Sequence, residues 1–300
     1  MIPAARESFA VGQIVPVWGW WGFYVEAVDA GASVKMTKTG TPAAVTLEHS
    51  TDGGETWIPF DDAGGTTITF ARPGARACFR SGSNGNAAFA SSTSAFHQFV
   101  FTGSVKAGGD IMSLLTRSDT IKSFSSNFAF TKLFVGAATL VDASPLVLSA
   151  TTATNQCYRG MFSSCSRMVN GPKIAARTIR SECCREMFYG CSALKTMPEL
   201  PATSLAQYCY YNMFTGCSAL ADGVVLPAGT LTTNCYNFMF QNCRSLKSII
   251  TNQTSFTGCT NWVQNVASGG TFTCPSALGT AATITRGNSA CPSGWTVVNI

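Results

Sequence analysis

The residues of this 300-residue chain best suited to chemistry are its 13 cysteines, and eight of them obey a fixed arithmetic. Cys157, Cys183, Cys209 and Cys235 recur with a constant 26-residue step, and each is followed by a second cysteine at Cys165, Cys191, Cys217 or Cys243. Thiols can ligate a metal, pair as disulfides or pack as small apolar groups. Zinc ligands come as close pairs two to four residues apart, which the wider step from Cys157 to Cys165 does not provide. The only two histidines, His49 and His97, also lie outside the array. The spacing therefore favours ladders of buried free thiols, with disulfides as the second option and no metal site. An odd count leaves at least one thiol free or paired outside the chain. Cys274 and Cys291, near the C-terminus, are the favoured pair if a bridge exists. Cys184 shares a column with Tyr158, Tyr210 and Tyr236, so it reads as packing rather than as a nucleophile.

Hydrolytic chemistry on glycans would need a pair of carboxyl groups. Residues 223–300 contain no Asp or Glu, and 106–222 hold seven: Asp110, Asp119, Asp142, Glu182, Glu186, Glu199 and Asp222. Glu199 and Asp222 could face one groove, but they read more simply as solvent-facing residues of separate coils. No glycine-rich phosphate loop is present, and neither histidine adjoins a Ser or Cys elbow. The expectation is a non-enzyme with no cofactor and no catalytic residue.

What positions the cysteines is a repeat. Cys-x-x-x-Met-Phe-x-x-Cys occurs four times without gaps, with Met-Phe at 161–162, 187–188, 213–214 and 239–240. Further apolar columns hold Met168, Leu194, Leu220 and Leu246, then Ile174, Leu200 and Leu226, then Ile179, Leu205 and Leu231. Identical residues one period apart mean that each coil lies on the previous one, because a single coil of this length cannot enclose its own apolar side chains. Segments such as Leu194–Leu200 suit strands of a parallel ladder. The Cys-Tyr-Tyr-Asn-Met-Phe segment, with apolar residues three or four apart, suits a helical turn on the opposite side. Residues 127–137 read as a degenerate first copy, with Leu133-Phe134 replacing Met-Phe, and Ser255–Cys259 as a shortened last one. Beyond about residue 260 the period lapses, and Trp262 and Trp295 are expected to seal the last coil.

Residues 15–105 instead alternate apolar and polar side chains in short runs broken by Gly, Pro and Asp, which suggests a β-sandwich or small barrel. Trp18, Trp20, Trp21, Phe23 and Tyr24 are expected to divide between core and interface. Ser50-Thr-Asp-Gly-Gly-Glu-Thr-Trp57 has the Asp-box pattern S-x-D-x-G-x-T-W, read here as a hairpin brace rather than as a sign of sialidase activity. The fold expected is α+β or mostly β: an N-terminal β-sandwich-like domain over 1–105, a repeat solenoid over 106–260 and a C-terminal cap over 261–300.

Composition narrows the partners. Only 12% of residues are charged and 46% are hydrophobic; the net charge of +5 is scattered, with no basic stripe for phosphates. No apolar run reaches the length of a membrane span, and the opening residues lack the pattern of a secretory signal. The string LPATSLAQYCYYNMFTGCSALA resembles the BspA-type leucine-rich repeat, which runs through leucine-proline, an apolar-Phe pair and Gly-Cys-x-x-Leu. The doubled cysteine with Met-Phe, the stretch 265–272, the ending 292–297 and the segment 109–115 resemble proteins of gut Bacteroidales and their phages and prophages. The likeness spans roughly residues 100–300.

That resemblance implies recognition or adhesion without assigning a ligand or any functional residue. The expectation is a virion-displayed protein that contacts a host cell-surface protein or glycan. Other virion proteins would be its neighbours, and homo-oligomerisation stays open. Alternatives are a structural virion decoration protein and a bacterial cell-surface adhesin whose leader was removed. In a solenoid the packing columns stay uniform while solvent-facing columns are free to vary and to bind. The varying columns Asn170, Thr196, Asp222, Ser248 and Lys173, Glu199, Val225, Thr251 are placed on a strand face. Asn170, Lys173, Thr196, Glu199 and Asp222 form its candidate patch, and Tyr189 and Tyr211 are the candidate anchors on the other side.

Overall fold

The computed structural model describes residues 22–62, 64–221, 223–226 and 231–300. Trp18, Trp20, Trp21 and Asp222 lie outside them. The described chain is mostly β with almost no helix, and its larger part is a β-solenoid of about six turns.

Residues 24–110 supply two antiparallel sheets. One contains β1 (Tyr24–Ala27), β3 (Leu47–Ser50), β4 (Ile58–Phe60), β6 (Arg76–Ser81) and β8 (Val105–Asp110), in the order β4-β3-β6-β1-β8. The other holds β2 (Ser33–Thr39), β5 (Thr67–Thr69) and β7 (Phe96–Thr102), in the order β5-β2-β7. Alternation does here what alternation predicts: Val34 and Met36 point inward from β2, and Phe99 and Phe101 from β7. Phe79 of β6 meets Phe99 of β7 at 5.3 Å between ring centroids.

The first sheet does not stop at β8. On its far side β8 pairs in parallel with β9 (Leu140–Asp142) and β10 (Leu146–Leu148), and β10 with β12 (Lys173–Ile174). A Cβ on Gly109 would collide with the Gly22 carbonyl oxygen, so only glycine fits where antiparallel pairing gives way to parallel. A second face pairs β11 (Thr152–Ala153) with β13 (Thr178–Ile179), extended by bridges at Ser123 and Ser204. The strand ladder resumes with β14 (Val224–Leu226), β15 (Ser248–Thr251), β16 (Thr271–Cys274) and β17 (Thr296–Asn299), all parallel. Stacking thus continues to residue 299, well past the point where the 26-residue period lapses.

Two expectations about local structure are corrected. Residues 194–200 form no ladder strand; only Thr196 bridges, to Asn170. Pro198 and Pro201 have no N–H to give a neighbouring coil. The expected helical turns are absent too: among the described residues helix is confined to two single 3-10 turns, Ile111–Leu114 and Ser276–Leu278.

In place of helix stands a chain of tight turns. Every fourth residue is left-handed: Gln156, Gly160 and Ser164 in one coil, Glu182, Glu186 and Gly190 in the next, then Tyr208, Asn212 and Gly216, then Asn234, Phe238 and Asn242. Amide donors alternate between two destinations. Met161 and Ser163 donate within their own coil, to the carbonyls of Tyr158 and Gly160 at 3.2 and 3.1 Å. Phe162 and Ser164 donate to the next coil, to Met187 and Tyr189 at 2.9 and 2.7 Å. A four-residue turn period and a 3.6-residue helix period both bring i and i+4 to one side, which is why Cys157, Met161 and Cys165 read as helical. Each left-handed residue other than glycine costs about 1–2 kcal/mol, offset here by amides that bind coil to coil rather than closing on themselves.

The apolar columns then stack like on like. Phe134, Phe162, Phe188, Phe214 and Phe240 form a parallel ring ladder at 5.3, 5.5, 5.4 and 5.6 Å, with planes 5–18° apart. Its first member also touches Phe23 and Phe99, both at 5.8 Å, so the two halves of the molecule share one core. Phe188 has ring neighbours on both sides and no exposure. Phe188→Ala should therefore destabilise the chain by roughly 3–5 kcal/mol in urea unfolding, and a loss below about 1 kcal/mol would contradict this stacking.

Candidate functional site

The coils present outward side chains on two faces. On the turn face, Arg159 and Arg185 interlock with Glu182 and Glu186. Arg159 meets Glu182 at 2.5 Å and Glu186 at 3.9 Å, and Arg185 meets each of the two at 3.2 Å. One coil later, the Arg185 guanidinium lies over the Tyr211 ring at 4.6 Å. Phe238 meets that ring edge-on at 5.6 Å, and Tyr208 flanks it at 5.9 Å. The four charges neutralise one another, so the face offers shape and aromatic surface rather than net charge. Tyr211 is half-buried in this stack, whereas Tyr189 is 43% exposed. Both tyrosines lie in the tight-turn segments of neighbouring coils. Sequence reading missed the ionic lattice, although a signal existed: Glu182 stands just short of one full coil beyond Arg159, which sets opposite charges diagonally across neighbouring coils.

On the strand face, Lys173, Thr196 and Glu199 are exposed and Asn170 is half-buried. Asn170 pairs in register with Thr196, and its side-chain amide reaches the Asp142 carboxylate at 3.5 Å. Lys173 aligns with Val147 of the preceding coil. Asn170 and Thr196 are thus neighbours across two coils, Lys173 belongs to the β10–β12 ladder, and Glu199 lies in a segment with no ladder pairing.

One column is corrected. Val225 aligns with Ile250 rather than Thr251, because the run from Leu246 to Ile249 is one residue shorter than the run from Leu220 to its register partner Val224. Thr251 is consequently buried, while Val225, Ile250 and Val298 stand exposed on the outer side of β14, β15 and β17, with half-buried Thr273 between the last two. The strand face therefore changes from polar to apolar along its length.

Both histidines are buried, one held by hydrogen bonds and the other packed against rings. His97 is fully buried, with Nδ1 3.1 Å from the Phe89 carbonyl oxygen and Nε2 3.0 Å from Asp62. His49 is buried beside Phe60 and Phe79, and burial pulls its pKa down. The Asp-box braces the β3–β4 hairpin as its residue types predict. Asp52 accepts from the Glu55 and Thr56 amides and from the Ser50 and Thr56 hydroxyls, which together hold its carboxyl well below the usual range. The Gly54 amide donates to the Ser50 hydroxyl at 2.7 Å, and the Trp57 indole donates to the Gly54 carbonyl at 2.9 Å beneath the Arg80 guanidinium. Asp110 caps the first 3-10 turn and receives Lys122 and Ser149.

All 13 cysteines are buried free thiols. Those of the second column, Cys165, Cys191, Cys217 and Cys243, each donate Sγ–H to the carbonyl of Phe134, Phe162, Phe188 or Phe214 in the coil before, at 3.0–3.1 Å. Cys274 and Cys291, the pair favoured from sequence, face separate acceptors, the carbonyls of Gly279 and Pro292. Among the described residues no cluster of three or more His, Cys, Asp or Glu is arranged to hold a metal ion. Nor, among them, is any helix long and apolar enough to cross a membrane.

One concavity escaped the sequence reading. A cleft of about 710 Å³ opens where the N-terminal sheets meet the first coil, lined by Ser83, Asn84, Asn86, Leu115, Arg117 and Ile121 among others. Its walls come from two segments well separated along the chain, which no local pattern joins. No protein-family model, no curated protein and no solved structure matches this chain.

Burial pushes up the pKa of the second-column thiols, that of Cys191 to about 12. Free thiols titrate near pH 8.5, so above that pH the folded chain holds protons that the unfolded chain has released. The linked stability should be complete below about pH 8.5 and fall steadily as the pH rises toward 12. Urea midpoints measured from about pH 7 to 10.5 should decline in that window, less steeply in Cys191→Ala with Cys217→Ala. A midpoint that stays level throughout would refute the buried-thiol ladder.

Proposed function

We propose that this chain is a non-enzymatic recognition protein whose solenoid, a BspA-type leucine-rich repeat, binds a host cell-surface protein or glycan through its outer faces. The protein is displayed on a phage or phage-derived particle, to which a sandwich-like N-terminal domain attaches it. The observation that carries this reading is the contrast within each coil. The Cys, Met and Phe columns are uniform and have no exposure, while residues one or two positions away change type from coil to coil. Arg159, Arg185 and Tyr211 of one such column and Ser163, Tyr189 and Gln241 of another keep some exposure, whereas Asn237 and Thr215 in the same columns are buried. Stacking requires the first kind of column to stay uniform and leaves the exposed members of the second free to vary.

Tyr189 suits an anchor because an exposed tyrosine contributes apolar area and a hydrogen-bonding hydroxyl together, at low cost in side-chain freedom. Lys173 and Glu199 suit a polar rim on the other face. The commitment of His97, Asp52, Asp110, Glu182 and Glu186 to structural partners supports a binding role over a hydrolytic one.

The test is retention of labelled, purified protein by intact gut Bacteroidales cells. Tyr189→Ala should weaken binding about tenfold or more with the melting midpoint unchanged, and Lys173→Glu with Glu199→Lys should weaken it less. Binding only to assembled particles would replace recognition by a decoration role, and release of reducing sugar ends from capsular polysaccharide would overturn the non-enzymatic reading.

A further inference from the structure

The two cysteine columns share one repeat step and the same complete burial, yet their sulfurs point differently. In the second column every Sγ is turned onto a carbonyl oxygen of the coil before. In the first column the sulfurs turn toward one another. Cys157 Sγ lies 3.2 Å from Cys183 Sγ, and Cys209 Sγ lies 3.0 Å from Cys235 Sγ. The backbone carries each pair in adjacent, hydrogen-bonded coils: the Tyr158 amide donates to the Cys183 carbonyl at 3.0 Å, and the Tyr210 amide to the Cys235 carbonyl at 3.2 Å. Neighbouring coils sit about 4.8 Å apart, like strands, inside the Cα separation that a disulfide spans without backbone movement. Four thiols in one column are thereby divided into two pairs with none left over.

We propose that Cys157–Cys183 and Cys209–Cys235 are two intercoil disulfide sites, closed by exchange with a low-molecular-weight disulfide as the chain folds. The thiolate of one cysteine attacks a sulfur of the small disulfide and expels one small thiol, leaving a mixed disulfide. The thiolate of its partner then attacks the protein-side sulfur and expels the second small thiol. Each bridge converts two protein thiols into one S–S bond and reduces one small disulfide to two thiols, which take up the two protons and two electrons. Closure belongs to folding rather than to the finished coil, because the folded pairs are out of reach of the reagent and burial suppresses the thiolate of Cys157, Cys183 and Cys209. A particle-borne protein that works outside the cell would meet such an oxidant, although the geometry holds wherever the chain acts. Cys184, whose Sγ lies 3.7 Å from Cys183 Sγ, is the one competing partner in contact.

The experiment is to refold the full chain from denaturant with oxidised and reduced glutathione, alkylate the remaining thiols and map peptides by mass spectrometry with and without reduction. Two bridges should appear, 157–183 and 209–235, with Cys165, Cys191, Cys217 and Cys243 fully alkylated. The bridged form should melt roughly 5–10 °C above the reduced form. Cys157→Ala should lose the first bridge and keep the second, and Cys184→Ser should keep both. Full alkylation of the first column, a bridge joining Cys183 to Cys209 or to Cys184, or bridges within the second column would each overturn the assignment.

Discussion

The alternating destination of backbone amides on the turn face is the constraint on which the solenoid depends. If every N–H closed on its own coil, as in a helix, neighbouring coils would be held only by side-chain packing and could slide along one another. Here every second amide must find a carbonyl one coil away, and it finds it at 2.7–3.2 Å over four successive coils. That registry brings Phe onto Phe and Cys onto Cys, and it makes a column in the sequence a column in space. Left-handed geometry at every fourth position is what turns those amides outward, so a local strain is exchanged for long-range order.

Registry explains which features were legible in advance. The stacking of like residues, the buried spine and the atypical first coil follow from period alone, because a period is a statement about translation between coils. The path of the chain within a coil is not such a statement. Apolar residues at i and i+4 served equally for helix and for four-residue turns, and the sequence carries no Gly at Gln156, Glu182 or Tyr208 to mark the left-handed positions. Prolines did give a usable signal, since Pro198 interrupts the ladder where a strand was expected. The last two coils were hidden for the opposite reason. Their strands pair in parallel by unequal steps, from Ser248 to Thr271 and then from Thr271 to Thr296, each shorter than the repeat and with no recurring motif to align them.

The candidate surfaces were legible as columns and not as environments. Spacing could not show that Arg185 and Phe238 already occupy Tyr211 while Tyr189 stands exposed. A single missing residue before β15 was enough to exchange Thr251 for Ile250 on the outer face, because neighbouring strand positions point to opposite sides. The cleft beside Arg117 joins residues 83–87 with 112–125, and such non-local concavities have no periodic trace.

Why cysteine occupies both columns can be argued from what the alternatives would do. The second-column site is fully dry and faces a carbonyl that already accepts one amide: Phe162 takes the Cys165 N–H at 3.1 Å and the Cys191 thiol at 3.0 Å. Alanine would leave that acceptor without its second donor and open a void, while valine would crowd a stack spaced at about 5.4 Å. Serine would offer a stronger donor, but burying a hydroxyl costs more than burying a thiol wherever its bond is imperfect. A thiol is small, apolar and a weak donor, which is the combination a site repeated in every coil can tolerate. The same tolerance lets the first column hold sulfurs in mutual contact, where any bulkier side chain would drive the coils apart.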